Sequence, residues 1–69
     1  MLIGRDVSIK DTNVRGLVID ETKNTLVLRI NGEQKRIIKD KNRFVAYANG
    51  KEIKIRGEEI NLRPWEYAI

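Results

Sequence analysis

The chain has 69 residues, of which 41% are hydrophobic and 35% charged, and it carries a formal net charge of +4. Such a length predicts one domain, residues 1–69, whose small core leaves no room for a cofactor cavity beside a substrate cleft. The absence of cysteine and histidine excludes disulfides, thiolate metal sites and Ser-His-Asp catalysis, so we predict a protein that binds rather than catalyses. The absence of a long apolar run and of a signal-peptide pattern predicts a cytoplasmic protein.

Alternation of apolar and polar residues predicts six strands, paired antiparallel in meander order. Val7 and Ile9 alternate with polar neighbours in the first strand, and Leu26 and Leu28 share one face of the third. β-branched residues are frequent in these runs, as expected for a pleated surface buried on one side. The predicted strands lie near residues 2–10, 15–20, 25–30, 33–39, 43–48 and 51–56.

Turn residues separate these strands. Asn31-Gly32 and Asn49-Gly50 each lie between apolar runs, and Asn-Gly suits a tight hairpin because both central positions need positive φ. Polar breaks at residues 20–24 and 39–42 suit longer loops. A small sheet with one apolar face must curl to bury it, so we predict an all-β fold: a small twisted antiparallel barrel, SH3-like or Sm-like.

The tail and the four aromatic residues are less informative. Ile60 and Leu62 could add a short closing strand, whereas Pro64 suits the first position of a helical turn over residues 65–69. Phe44 or Tyr47 could be exposed and stack on bases, as in single-strand readers. In so small a protein we favour the alternative that the aromatic residues serve the core, with Trp65 and Tyr67 covering one barrel end.

Positive charge is concentrated in residues 35–56, which hold eight cations and two carboxylates. The preceding segment is balanced and the following one is net acidic. A basic segment in a basic protein favours a polyanion partner, of which nucleic acid is the usual one. The alternative is a solvated surface on a chain rich in Lys, Glu, Arg and Ile.

The densest basic stretch is residues 35–43, with five cations and one carboxylate. Several fixed cations neutralise neighbouring phosphates and release counterions, so we predict that nucleic-acid binding is centred here, and the stretch alone does not distinguish RNA from DNA. The alternative is an edge strand protected by lysines. The polar loop at residues 20–25 could contact a sugar-phosphate backbone, although turn chemistry alone explains it. Asp20 and Glu21 could form an acid–base pair or a Mg²⁺ site, but adjacent strand residues diverge and no third ligand is apparent.

Several runs of this chain match the pattern of one known family. They are residues 16–28 (Gly-Leu-Val-Ile-Asp-Glu-Thr-Lys-Asn-Thr-Leu-Val-Leu), Lys35-Arg36-Ile37-Ile38-Lys39, Phe44, Leu2-Ile3-Gly4, Ile53-Lys54-Ile55-Arg56-Gly57 and Arg63-Pro64. With these runs the chain resembles the archaeal ribonuclease P protein component 1 family. The resemblance implies a twisted Sm-like barrel that supports a catalytic RNA, which uses Mg²⁺ to remove 5′ leaders from precursor tRNA. It implies no cofactor on the protein itself.

The resemblance also implies the partners: ribonuclease P RNA, precursor tRNA and other ribonuclease P protein subunits, among them a zinc-ribbon subunit. Members usually carry an N-terminal segment that helps to hold the zinc-ribbon subunit, and only Met1 precedes Leu2 here. Five RNA contacts follow from the resemblance: Lys23, Asn24, Lys35, Arg36 and Lys39. Five more follow from charge alone: Arg5, Arg15, Lys41, Arg43 and Arg56.

Two other functions fit the residues. One is a free-standing small-barrel nucleic-acid binder, either a Sm-like RNA chaperone or a chromosomal DNA-binding protein. The other is an interaction module whose basic face meets an acidic protein. Association with a structured RNA would favour the ribonuclease P subunit. A preference for duplex DNA would favour the DNA-binding barrel, and protein binding that is insensitive to salt would favour the interaction module.

Overall fold

Six antiparallel strands form one sheet in the computed structural model, which describes residues 1–68. The strands are β1 (Asp6–Ile9), β2 (Arg15–Glu21), β3 (Thr25–Ile30), β4 (Glu33–Ile38), β5 (Arg43–Ala48) and β6 (Lys51–Arg56), and the 3-10 turns are Lys39–Lys41, Gly57–Ile60 and Pro64–Glu66. The sheet curls into a small barrel-like fold, as predicted, but the predicted meander order is wrong: the strand order is β4-β3-β2-β1-β5-β6, because β1 pairs with β5. Within residues 1–68, no helix is long or apolar enough to cross a membrane.

The inward side chains of the strands form one apolar core. β1 lies between β2 and β5, and this non-local pairing sets Ile9 opposite Phe44 and Val7 opposite Ala46. In β1, β2 and β3 the alternation predicted from the sequence is thus the alternation of burial, whereas β4 is exposed along most of its length. The core residues are Leu2, Val7, Ile9, Val18, Leu26, Leu28, Phe44, Ala46, Ile55 and Ile60.

Both predicted Asn-Gly hairpin turns are present. Asn31 and Gly32 have φ of 50° and 80°, and Asn49 and Gly50 have φ of 52° and 75°. Positive φ at both central residues matches the right-handed twist of the flanking strands. These two turns therefore fix the registers of β3 with β4 and of β5 with β6.

The start of the first strand and the region around Ile60 differ from the prediction. The first strand begins at Asp6, because Gly4 has a φ of 86° and the Arg5 N–H closes a turn onto the Leu2 carbonyl (3.0 Å). The predicted closing strand near Ile60 is wrong, since this residue ends a 3-10 turn and its side chain enters the core. Pro64 does begin a helical turn, of 3-10 type, and the predicted end of that turn at residue 69 lies outside the described residues.

Candidate nucleic-acid interface

Five exposed cations cluster on β5, on β6, directly after β1 and in the 3-10 turn before β5. The register sets Arg43 opposite Arg56, and the Lys10 N–H donates to the Arg43 carbonyl (2.8 Å), so three cations lie side by side across the strands. Two open clefts of about 230 and 260 Å³ share Arg43 and Arg56. We call this surface the cationic face; it comprises Lys10, Lys41, Arg43, Lys54 and Arg56.

The charges of the cationic face are only partly balanced within the protein. Like charges directly opposite on a sheet destabilise it, so the Arg43–Arg56 pair favours an external anion. Arg56 lies 3.8 Å from a Glu58 oxygen and 3.9 Å from a Glu59 oxygen, with all three side chains about two-thirds exposed. Such long, solvated ion pairs contribute little, and a phosphate can displace them. The geometry therefore suits binding of a chain of phosphates.

Lys39, predicted to contact RNA, lies inside the protein instead. Its side chain has no exposed surface, and its ammonium group is 2.8 Å from a Glu21 carboxylate oxygen and 3.0 Å from the Leu62 carbonyl oxygen. β4 ends at Ile38, and the 3-10 turn that follows directs the next side chain inward. The prediction of a direct RNA contact at Lys39 is therefore wrong, because the group is both buried and ion-paired.

Glu21 organises the buried polar cluster around Lys39. One carboxylate oxygen accepts the Leu2 N–H at 2.8 Å, and the other accepts both the Lys39 ammonium and the Tyr67 hydroxyl. Burial, together with the hydrogen bond to Glu21, raises the pKa of the Tyr67 phenol above its ordinary value. The cluster joins the end of β2, the N-terminal residues and the tail. The prediction that Trp65 covers one end of the core is wrong, since Trp65 is 75% exposed and Tyr67 takes that position.

Asp20 and Glu21 do not act as a pair. Glu21 is buried, whereas Asp20 is exposed and accepts the Glu21 N–H at 2.8 Å. Within residues 1–68, no group of three or more acidic, histidine or cysteine side chains could hold a metal ion. The loop that follows closes on itself through the Thr22 and Thr25 hydroxyls, 2.6 Å apart. It therefore has the local turn chemistry expected from its sequence.

The basic stretch of β4 does not form one surface. Lys35 lies opposite Leu28 and Arg36 lies opposite Val27, so these neighbouring side chains project to opposite sides of the sheet. Both are exposed, as are Lys23 and Asn24 in the loop between β2 and β3. A site centred on residues 35–43 is thus divided by the fold into separate regions.

Arg15 and Arg5 lie outside the cationic face. Arg15 donates from two guanidinium nitrogens to one Asp6 oxygen (2.9 and 2.6 Å), and its guanidinium lies 4.0 Å from the centre of the Tyr47 ring. The hydrogen bond to Asp6 raises the pKa of Arg15 and offsets its positive charge. Arg5 is half-buried and lines a groove at the other end of β1. Neither of them joins the five clustered cations.

Sequence reasoning missed two members of the cationic face, Lys10 and Lys54. The position of Lys54 could have been predicted from the sequence, because the Asn49-Gly50 turn sets the register that places Lys54 opposite Val45. The position of Lys10 depends on the pairing of β1 with β5, residues that are far apart in the sequence. Local alternation identifies such a residue as outward-facing but not as the neighbour of Arg43.

Two comparisons with known proteins both find ribonuclease P proteins. A family model described as ribonuclease P/MRP, subunit p29, matches residues 3–68. A ribonuclease P protein component 1 from Archaeoglobus fulgidus is 35% identical over 54 residues, which cover 78% of this chain and 53% of that protein. The chain spans about half the length of this curated relative.

Proposed function

The chain belongs to the ribonuclease P/MRP subunit p29 family, and from that premise we propose that it is a non-catalytic RNA-binding subunit of ribonuclease P. In this role it supports the catalytic RNA in removing 5′ leaders from precursor tRNA. The observation that carries the proposal is the cationic face, where Arg43 and Arg56 lie directly opposite each other and next to Lys10. Phosphates of a bound RNA backbone would offset the repulsion between these like charges.

The cationic face acts by neutralising phosphates. Each phosphate that meets a lysine or arginine releases condensed counterions, which makes binding favourable and sensitive to salt. The planar guanidinium groups of Arg43 and Arg56 can each donate two parallel hydrogen bonds to a phosphate. The ammonium groups of Lys10, Lys41 and Lys54 act as point charges. Four of these five residues are on strands or directly follow one, so the backbone holds them in place before RNA arrives.

Other exposed residues extend the proposed contact surface. Lys35 and Arg36 on β4 are secondary contacts, as are Lys23 and Asn24 in the loop between β2 and β3, and different parts of a folded RNA reach them. The partners we propose are ribonuclease P RNA, precursor tRNA and other protein subunits of the enzyme, with a zinc-ribbon subunit among them, in the cytoplasm. Any Mg²⁺ used in the reaction is held by the RNA.

The protein supports the reaction without entering its chemistry. Glu21 is occupied by three donors inside the fold. Asp20 is solvent-exposed and its carboxylate accepts the Glu21 N–H, so it lacks the enclosed setting in which a carboxylate becomes an effective general base. The proposed contribution is therefore electrostatic: fixed cations replace part of the metal charge that holds the RNA and its substrate together.

Recovery of bound nucleic acid tests this function. The tagged chain, purified from its native cells at moderate salt, is expected to retain ribonuclease P RNA, with precursor tRNA as a second species. Arg43→Ala with Arg56→Ala should lose this RNA, whereas Arg29→Ala with Lys51→Ala removes the same charge outside the cationic face and should retain it. Recovery of duplex DNA alone, or of an acidic protein without RNA, would contradict the proposal and favour one of the two alternative functions.

A further inference from the structure

Each cleft of the cationic face already contains a carboxylate of the protein. Arg43 and Arg56 line both clefts. Glu58 lines the first cleft, of about 230 Å³, and Glu59 lines the second, of about 260 Å³. An oxygen of Glu58 lies 3.8 Å, and an oxygen of Glu59 3.9 Å, from the Arg56 guanidinium. On both sides of Arg56, the space open to a phosphate therefore lies beside an anion that the chain itself supplies.

The 3-10 turn Gly57–Ile60, which directly follows β6, holds these two glutamates beside Arg56. At its start the Gly57 N–H donates to the Asn42 carbonyl (2.9 Å), and a Cβ at this position would collide with the Lys39 carbonyl, so only glycine fits. At its end the isoleucine side chain is buried in the core. The backbone of the two glutamates is fixed between these anchors, so their carboxylates remain close to the clefts.

The glutamates are held to Arg56 only weakly. All three side chains are about two-thirds exposed, and the Arg56 N–H donates to a Glu59 oxygen at 3.4 Å. Such solvated pairs contribute little to stability. They affect binding, however, because a phosphate must displace a carboxylate before it has the full charge of Arg56. Asp40 also lines the first cleft, but it forms no ion pair within residues 1–68 and so does not compete for Arg56.

We propose that Glu58 and Glu59 are built-in competitors of RNA for Arg56, and that they lower the affinity of the cationic face. In the free protein the two carboxylates partly neutralise this guanidinium. When RNA binds, its phosphates enter the clefts and replace them. The inference rests on the proposed RNA-binding function and adds regulation of the same site: the turn after β6 sets how tightly the face holds a phosphate chain.

Neutral variants that keep the hydrogen-bonding oxygens test this competition. Glu58→Gln with Glu59→Gln should bind ribonuclease P RNA about 2- to 30-fold more tightly, the range expected when two solvated ion pairs need no longer be displaced. The gain should shrink as salt screens these exposed charges. Glu33→Gln with Glu66→Gln is the matched control and should bind like the parent chain. It removes the same charge outside both clefts, and Glu66 accepts the N–H that opens its own 3-10 turn, as Glu59 does.

Combination with Arg56→Ala distinguishes competition from simple repulsion of phosphates. Without the Arg56 guanidinium the glutamates have nothing to compete for, so the two glutamines should add little affinity in that background. In an Arg43→Ala background they should keep most of their effect. An equal gain with and without Arg56, or parent-like affinity of the double glutamine variant, would overturn the competition. In either case salt-dependent RNA binding by the parent chain shows that the RNA-binding function stands, whereas a parent chain that binds no RNA overturns both proposals.

Discussion

Replacement of Lys39 by methionine separates a structural role from an RNA contact. The ammonium group and its partner carboxylate both belong to side chains with no exposed surface. Removing one member of such a pair leaves an uncompensated buried charge, which costs about 3 to 5 kcal/mol. Glu21 would keep two donors, the Leu2 N–H and the Tyr67 hydroxyl, so we expect a value near the lower end.

This loss is large for so short a chain. A protein of this length has a free energy of unfolding of about 3 to 10 kcal/mol, so Lys39→Met should be partly or wholly unfolded at room temperature. Adding Glu21→Gln removes the buried charge, and the double variant should therefore be more stable than the sum of the two single effects indicates. Urea unfolding followed by far-ultraviolet circular dichroism measures each midpoint and slope.

Lys41→Met provides the control, since Lys41 belongs to the same 3-10 turn but is exposed on the cationic face. Its stability should lie within about 0.5 kcal/mol of the parent chain, while its RNA binding weakens. If Lys39→Met unfolded at the parent's urea concentration and yet bound RNA less tightly, Lys39 would be a surface contact and the argument from burial would be refuted.

Three further outcomes are expected. Gly32→Val should lower the free energy of unfolding by about 1 kcal/mol or more, because valine disfavours the φ of 80° at this turn; an unchanged urea midpoint would contradict this. Because the pKa of Tyr67 is raised in the folded state, its contribution to stability is complete below the unfolded pKa of about 10. Above that pH the contribution declines, by at most about 1.4 kcal/mol per pH unit. The urea midpoint of Tyr67→Phe should therefore fall less at alkaline pH than that of the parent chain, and an equal fall in both would refute the assignment. Added to ribonuclease P RNA, the chain should raise precursor tRNA cleavage most at low Mg²⁺, and Asp20→Asn should leave this effect intact; cleavage by the protein without RNA would overturn the non-catalytic role.

The strands and hairpins were predictable because their causes are local. Alternation of apolar residues with a period of two marks which side chains face inward, and the Asn-Gly pairs require a turn that sets the register. Both signals lie within a few residues of the positions that they determine. All six predicted strands are present. The main errors are at Gly4, where a single turn shortens the first strand, and in the strand order, because the pairing of β1 with β5 joins residues that are far apart in the sequence.

The arrangement of charges was less predictable because it depends on contacts between distant residues. Lys39 is next to exposed cations in sequence, but Glu21, 18 positions earlier, determines that it is buried. Lys10 joins the cationic face only through the pairing of β1 with β5. The exposure of Trp65 depends on a 3-10 turn in a tail too short to show periodicity. A local count of cations therefore predicted a nucleic-acid binder, but it could not show which of those cations the fold brings together on one surface.

The salt dependence of RNA binding tests the central claim most directly. If about four phosphates meet the cationic face, the logarithm of the binding constant for ribonuclease P RNA should fall against the logarithm of salt concentration with a slope of about −3 to −4. Arg43→Ala with Arg56→Ala should make that slope shallower by about 1.5. Arg29→Ala with Lys51→Ala, which removes equal charge elsewhere, should leave it unchanged. Equal slopes for the parent chain and the Arg43/Arg56 variant would show that the RNA does not bind at the cationic face.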